Sequence, residues 1–178
     1  SLDWADSCSD DEICGGLSKF GEEVVAEMNR LGMMVDISHV SPDCMRHTLR
    51  VAEAPVIFSH SSARGIADHP RNVPDDVLEL TRDNGGVVMI NFFPDFVHPR
   101  EAERSRRRSR VREQLKEQHP VDDETARGAL RRWELANPRL NLCSVHDILD
   151  HIDHVINIAG VDHVGLGSDY DGVPALPD

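Results

Sequence analysis

Four short apolar runs, residues 33–38, 55–59, 86–92 and 163–168, recur along the chain with helix-length segments between them. They are of strand length and rich in β-branched and apolar residues, and strands alternating with helices predict an α/β fold with a parallel sheet and helices outside. In such a fold the carboxyl-terminal ends of the strands share one rim, where ligands bind. The first two runs end in Ser38-His39 and Ser59-His60, the third reaches Asn91, and the fourth runs into Asp169. A single histidine at a strand end reads most simply as structural. Two histidines and an aspartate on one rim are the residue types of a hydrolytic metal site.

The intervening segments carry helix punctuation. Ser18 is placed to cap a helix with the stripe Phe20, Val24, Val25, Met28 and Leu31, which Gly32 ends. Ser41-Pro42 opens a second, with Met45 and Leu49 as its buried face. Pro74-Asp75-Asp76 starts a third, with Val77, Leu78 and Leu80, that stops near Asn84-Gly85. Ser144-Val145-His146-Asp147 resembles a capping box before the stripe Ile148, Leu149, Ile152, Val155 and Ile156, closed by Gly160. The first sixteen residues read as a loop.

Between the third and fourth runs lie charged, arginine-rich residues, predicted to be helical in two pieces broken at His119-Pro120 and read as a helical insertion, 98–142, in a βα connection. Seven arginines fall between Arg100 and Arg112. Interleaved glutamates, absent aromatics and a net charge of −13 make this a solvated helix face rather than a nucleic-acid patch. No apolar run approaches bilayer-spanning length, and the first six residues lack the composition of a signal peptide. Cys8, Cys14, Cys44 and Cys143 lack the paired spacing of a zinc ribbon. Free thiols are the expected state, with a local Cys8–Cys14 bridge the alternative, so the compartment stays open.

Four βα-type units amount to half of an eight-stranded barrel, with two unpaired sheet edges. The expectation is one incomplete domain over 1–178, a partial (β/α)8 TIM-type barrel corresponding to about its carboxyl-terminal half. An open four-stranded α/β sheet is the structural alternative.

Longer stretches carry a resemblance. Residues 16–21 (GLSKFG), 35–41 (VDISHVS), 54–63 (APVIFSHSSA), 71–76 (RNVPDD) and 165–172 (GLGSDYDG) resemble the membrane (renal) dipeptidase family, zinc dipeptidases of the metal-dependent hydrolase barrel type. The match runs through nearly the whole chain except the arginine-rich insertion. It implies a zinc-dependent dipeptidase with two Zn(2+) ions, in which His39 and His60 are the histidine ligands of the second half of the barrel. The family's other ligands, a His-x-Asp pair and a bridging glutamate, come from the amino-terminal half and have no counterpart here. The implied chemistry is attack on the dipeptide carbonyl by a metal-bridging hydroxide, with Asp169 matching the carboxylate that relays the proton to the leaving amine. Arg71 matches the residue that pairs with the substrate's terminal carboxylate, a task suited to a planar guanidinium.

Each assignment has a rival. Asp171, two residues on, can exchange roles with Asp169. Arg71 can instead bond to Asp75 or Asp76 at the helix entry. Asp36 either orients His39 as a supporting carboxylate or bonds to backbone. Asn91 is placed to contact substrate, and His69, His151 and His154 read as surface or loop histidines. The expected partner is a dipeptide, with no nucleic acid and no membrane segment in this chain; a homo-oligomer is compatible with the reading. Rival functions are a metal-dependent hydrolase of another amide, lactam or ester, for which Arg71 would be superfluous, and a non-catalytic barrel-derived binding domain. The chain alone is expected to be inactive.

Overall fold

Three of the helices begin at serine caps, Ser18, Ser41 and Ser144. A computed structural model describes residues 3–118, 124–174 and 176–177. Helix α1 (Lys19–Leu31) starts at Ser18, whose hydroxyl accepts from Gly21 N–H, and ends at Gly32 with φ of 71°. Helix α2 (Pro42–Val51) starts at Ser41, which accepts from Cys44 N–H, with proline in the first turn. Helix α3 (Asp75–Asn84) ends at left-handed Gly85. Ahead of α7 (Val145–Ala159), the Asp147 carboxylate accepts from the Ser144 N–H at 2.8 Å and from its hydroxyl at 2.9 Å.

The strands are β1 (Ile57–Ser61), β2 (Val87–Ile90) and β3 (Val164–Leu166), in the order β1-β2-β3 with both pairings parallel. The expected strand over 33–38 contributes a single parallel bridge, Asp36 to Ile57, instead of a ladder. Ile37 N–H donates to Ile57 O at 2.9 Å and Ile57 N–H to Val35 O at 3.0 Å. Beyond that bridge the Asp36 carboxylate turns the backbone by accepting from Ser38 N–H at 3.0 Å. At its far end the sheet curls inward. A Cβ on Gly167, just past β3, would collide with the Ser59 carbonyl on β1, across the intervening β2.

Val56, Phe58, Val88 and Ile90 meet Met45, Val77, Leu78 and Val155 in one core under the helices. Two apolar stripes are less buried than their spacing predicts. Phe20 and Leu31 of α1 are exposed, because α1 packs against α2 and makes no contact with the sheet strands comparable to those of α3 and α7; Leu149 of α7 is exposed as well. The largest correction concerns His151, which is buried within α7 rather than on the surface or a loop; His69 lies in a loop, as expected, but is buried there. His151 Nδ1 accepts from Ala63 N–H at 2.9 Å, so Nε2 carries the proton and donates to Val97 O at 2.9 Å. Both ring nitrogens are satisfied, and burial holds the imidazole neutral by pushing its pKa down, which makes the site tolerable.

After β2 come the short α4 (Pro94–Val97), then α5 (Pro99–Gln118) and α6 (Glu124–Ala136), which pack on each other. The expected break at His119-Pro120 lies outside the described residues. Arginines here find carboxylates: Arg106 with Asp68, Arg107 with Glu103, and Arg108 with Glu134 at 2.6 Å. All four cysteines are free thiols. Among the described residues no helix is long and apolar enough to cross a membrane.

Candidate metal centre and substrate cleft

His39, His60, Arg71, Asn91 and Asp169 come together at the carboxyl-terminal end of the sheet. His39 and His60 follow and terminate neighbouring parallel segments, and their Nε2 atoms stand 2.8 Å apart with ring centroids at 4.9 Å. The hydrogen-bond network assigns both tautomers. The Ser59 hydroxyl lies 2.5 Å from Asp36 Oδ2, a contact that needs its proton, so its oxygen is left to accept from His60 Nδ1–H at 2.8 Å. Protonated at Nδ1, His60 presents a lone pair at Nε2. On the other ring, Arg71 Nη2, a donor only, donates to His39 Nε2 at 3.0 Å, which places a lone pair there too. Burial pushes the His39 pKa down, and the Arg71 and His60 charges add to this against the opposing pull of Asp169 and Asp36.

The two Nε2 atoms therefore stand side by side without ring protons, the His60 lone pair open and the His39 lone pair engaged by Arg71. A cation between them would draw on both lone pairs, with the Arg71 N–H released from His39. Neutral imidazole nitrogens are zinc donors at about 2.0–2.1 Å, and two tetrahedral ligands at that distance stand about 3.3 Å apart. The rings meet this with a small opening, so the donor set fits the metal that the sequence implies. Among the described residues no third histidine, cysteine, aspartate or glutamate completes a three-ligand group.

Asp36 plays neither of its two expected parts alone. It accepts from Ser38 N–H and Oγ–H and from Ser59 N–H and Oγ–H, and its link to the histidine pair runs through Ser59 to His60 rather than to His39. Burial raises its pKa, but these four donors outweigh that and lower it, keeping the carboxylate ionised.

Arg71 is 5% exposed. Its Nη2 also donates to His60 O at 3.2 Å, while Nη1 is buried and has no partner. The helix-entry carboxylates are engaged elsewhere, Asp76 with Arg46 at 2.7 Å and Asp75 with His154 at 2.9 Å. The guanidinium lies over the Phe96 ring, 5.4 Å from its centroid, and the Arg71 N–H donates to His69 Nδ1 at 3.2 Å. It lines an open cleft of about 970 Å³ together with His39, His69, Phe93, Phe96 and Arg139.

Asp169 follows β3 in the left-handed region, with φ of 59°. Its Oδ2 accepts from Asn91 Nδ2–H at 3.1 Å. Asn91 is fully buried and its Oδ1 accepts from Phe93 N–H at 2.5 Å, so its amide faces Asp169 and the chain, not the cleft. Asp171 is exposed on the turn beyond.

Ser59, His69, Phe96 and Gly172 carry parts of this arrangement that the sequence did not assign. Only Ser59 leaves a signal: a serine precedes the histidine at both strand ends, and a hydroxyl beside an imidazole is a ready tautomer lock.

The description "Membrane dipeptidase (Peptidase family M19)" fits the chain across residues 1–178. Two uncharacterised dipeptidases of Schizosaccharomyces pombe are 43% and 39% identical to it over 162 and 163 residues, 91% of this chain. The chain spans 30% of the length of each. Among solved structures, the probable dipeptidase PvdM of Pseudomonas aeruginosa superposes with a TM-score of 0.79 at 26% identity, over 98% of this chain and 50% of that one. A metallopeptidase of Rhodobacter sphaeroides, liganded with a phosphinate mimic of the dipeptide L-Ala-D-Ala, superposes with a TM-score of 0.69 at 28% identity, over 97% of this chain and 38% of that one.

Proposed function

Because the chain belongs to the membrane dipeptidase family, we propose that it supplies about the carboxyl-terminal half of a (β/α)8 barrel that hydrolyses the peptide bond of dipeptides with zinc. The observation that carries this reading is the pair of imidazole Nε2 atoms 2.8 Å apart at the sheet's end, beside a buried guanidinium with one unpartnered nitrogen. The inward curl that brings Gly167 against Ser59 supports the barrel, since in a flat sheet next-nearest strands lie about 9.5 Å apart. The helices over 98–142 are then an insertion in a βα connection.

In this reading His39 and His60 hold zinc, and ligands outside this chain complete the centre. Bound zinc supplies a Lewis acid and a water made acidic enough to attack at neutral pH. Arg71 receives the substrate's free carboxylate on Nη1, and so selects dipeptides over longer chains by anchoring the carboxyl end close to the metal. Asp169 takes the proton of the attacking water and returns it to the leaving amine. The test uses the longer protein that carries this chain. Chelation should abolish release of alanine from Ala-Ala and zinc should restore it; turnover indifferent to chelation, or no turnover in the zinc-loaded protein, removes the proposal.

A further inference from the structure

Three independent features converge on the carboxylate of Asp169, and none of them contacts the cleft's substrate side. Its backbone is left-handed, a conformation that is unfavourable for a non-glycine residue and persists where surrounding contacts enforce it. The amide of Asn91, fully buried at the end of β2, donates to its Oδ2 at 3.1 Å. On the opposite side, Gly172 closes the turn by donating its N–H to Asp169 O at 3.0 Å, and a Cβ there would collide with Asp169 Oδ1.

We propose that Asn91 and Gly172 are positioning residues, a donor and a wall between which the Asp169 carboxylate is fixed in the rotamer that proton transfer requires. The amide of Asn91 cannot flip to present oxygen, because Oδ1 is held by the Phe93 N–H and a flip would set two oxygens against each other at Asp169 and two N–H donors at Phe93. Its backbone is pinned as well, with Asn91 N–H donating to Ser61 O at 3.2 Å and Ser62 Oγ–H to Asn91 O at 3.4 Å. The donor is thus tied to the end of the sheet by its own backbone bonds, whereas Asp169 sits on the turn after a three-residue strand. A turn on its own would let the side chain sweep through its rotamers; a fixed donor on one oxygen and a surface without a side chain against the other select one.

The inference rests on the assignment of Asp169 as the proton carrier, and the experiment separates the two. In the full-length zinc-loaded enzyme, Asn91→Ala and Gly172→Ala should each lower kcat by about 10- to 100-fold, the scale of supporting-shell losses, with KM changed less than threefold and zinc content unchanged. Combined with Asp169→Asn, neither should lower kcat further, because both act only through that carboxylate. Gly172 is exposed, so Gly172→Ala carries the test if Asn91→Ala does not fold. If Asp169→Asn collapses turnover while Gly172→Ala leaves kcat intact, or if the losses multiply in the double variants, the positioning role is overturned and the catalytic assignment stands. If Asp169→Asn retains full turnover, both are overturned.

Discussion

Replacing Arg71 separates recognition of a free carboxylate from every other task at this site. The guanidinium is 5% exposed and has already lost its water in the folded protein; burial pushes its pKa down, and the Cys8, Asp169 and Asp36 charges work against that. Nη2 is committed to His39 and His60, leaving Nη1 as a desolvated donor that a carboxylate can meet without further reorganisation. A charge-assisted hydrogen bond contributes about 1.5–3 kcal/mol. One such bond from Nη1 to a substrate carboxylate, taken at the high end because the donor is already buried, amounts to about 3 kcal/mol, or roughly 10²-fold in kcat/KM. Arg71→Ala should therefore lose about 10²-fold on free Ala-Ala and less than threefold on the carboxyl-amidated analogue. Arg71→Lys should fall between them, because an ammonium keeps the charge but cannot reach His39 and the substrate in one planar fork. The assay is steady-state hydrolysis of both substrates in the full-length protein, with zinc content measured for each variant because Arg71 touches His39. Equal losses on the two substrates would refute the reasoning and leave Arg71 a structural prop for the histidine pair.

Asp169→Asn should keep zinc near one wild-type equivalent while lowering turnover by about two to four orders of magnitude, whereas His60→Ala should lose metal and activity together, as read by metal analysis beside hydrolysis. Asp6 gives a pH test of the fold: burial pushes its pKa up, but N–H donors from Gly16, Ile13 and Cys14 and the Cys14 thiol outweigh this and lower it to about 2. A depressed carboxylate stabilises above its ordinary value near 3.8 and loses that contribution as pH falls toward 2, so the stability gap between wild type and Asp6→Asn in urea should close across that window. Phe58→Ala empties a fully buried site between sheet and helices and should cost about 3–5 kcal/mol in the same assay. The 178-residue chain alone, with excess zinc, should show no dipeptide turnover and should self-associate in light scattering, since the β3 edge with exposed Leu166 and the 35–37 edge are both unpaired; a stable, active monomer would contradict this.

Helix ends were legible because capping is local: Ser18, Ser41, Gly32 and Gly85 announce boundaries that the structure keeps. The parallel strands and helices were legible from alternation, although the run over 33–38 makes only a single bridge. What escaped depends on contacts between distant segments. Phe20 and Leu31 have the spacing of a buried stripe, yet spacing says nothing about whether another element arrives to cover it. His151 has nothing in its neighbourhood to distinguish it from His154, and only the Ala63 N–H and Val97 carbonyl, far away in sequence, make one a core residue. Asn91 was placed at the correct rim, but its direction is set by the amide of Phe93 and by Asp169, which no periodicity encodes. Asp36 shows the same limit: its neighbour Ser38 was visible, whereas Ser59, which carries its influence to His60, is twenty-three positions away.

The missing space at Gly167 bears on how such a sheet can change over generations. No side chain fits between that position and the Ser59 carbonyl, and the next polar atom outward along the same strand belongs to the Asp36–Ser59–His60 chain of hydrogen bonds. A substitution at 167 would lever β1 from β3 and turn the His60 ring with it. The strand ends beneath the histidine pair are thereby closed to change at that position. Variation is left to the cleft lining, where Arg139 and Phe93 stand on segments outside the strands.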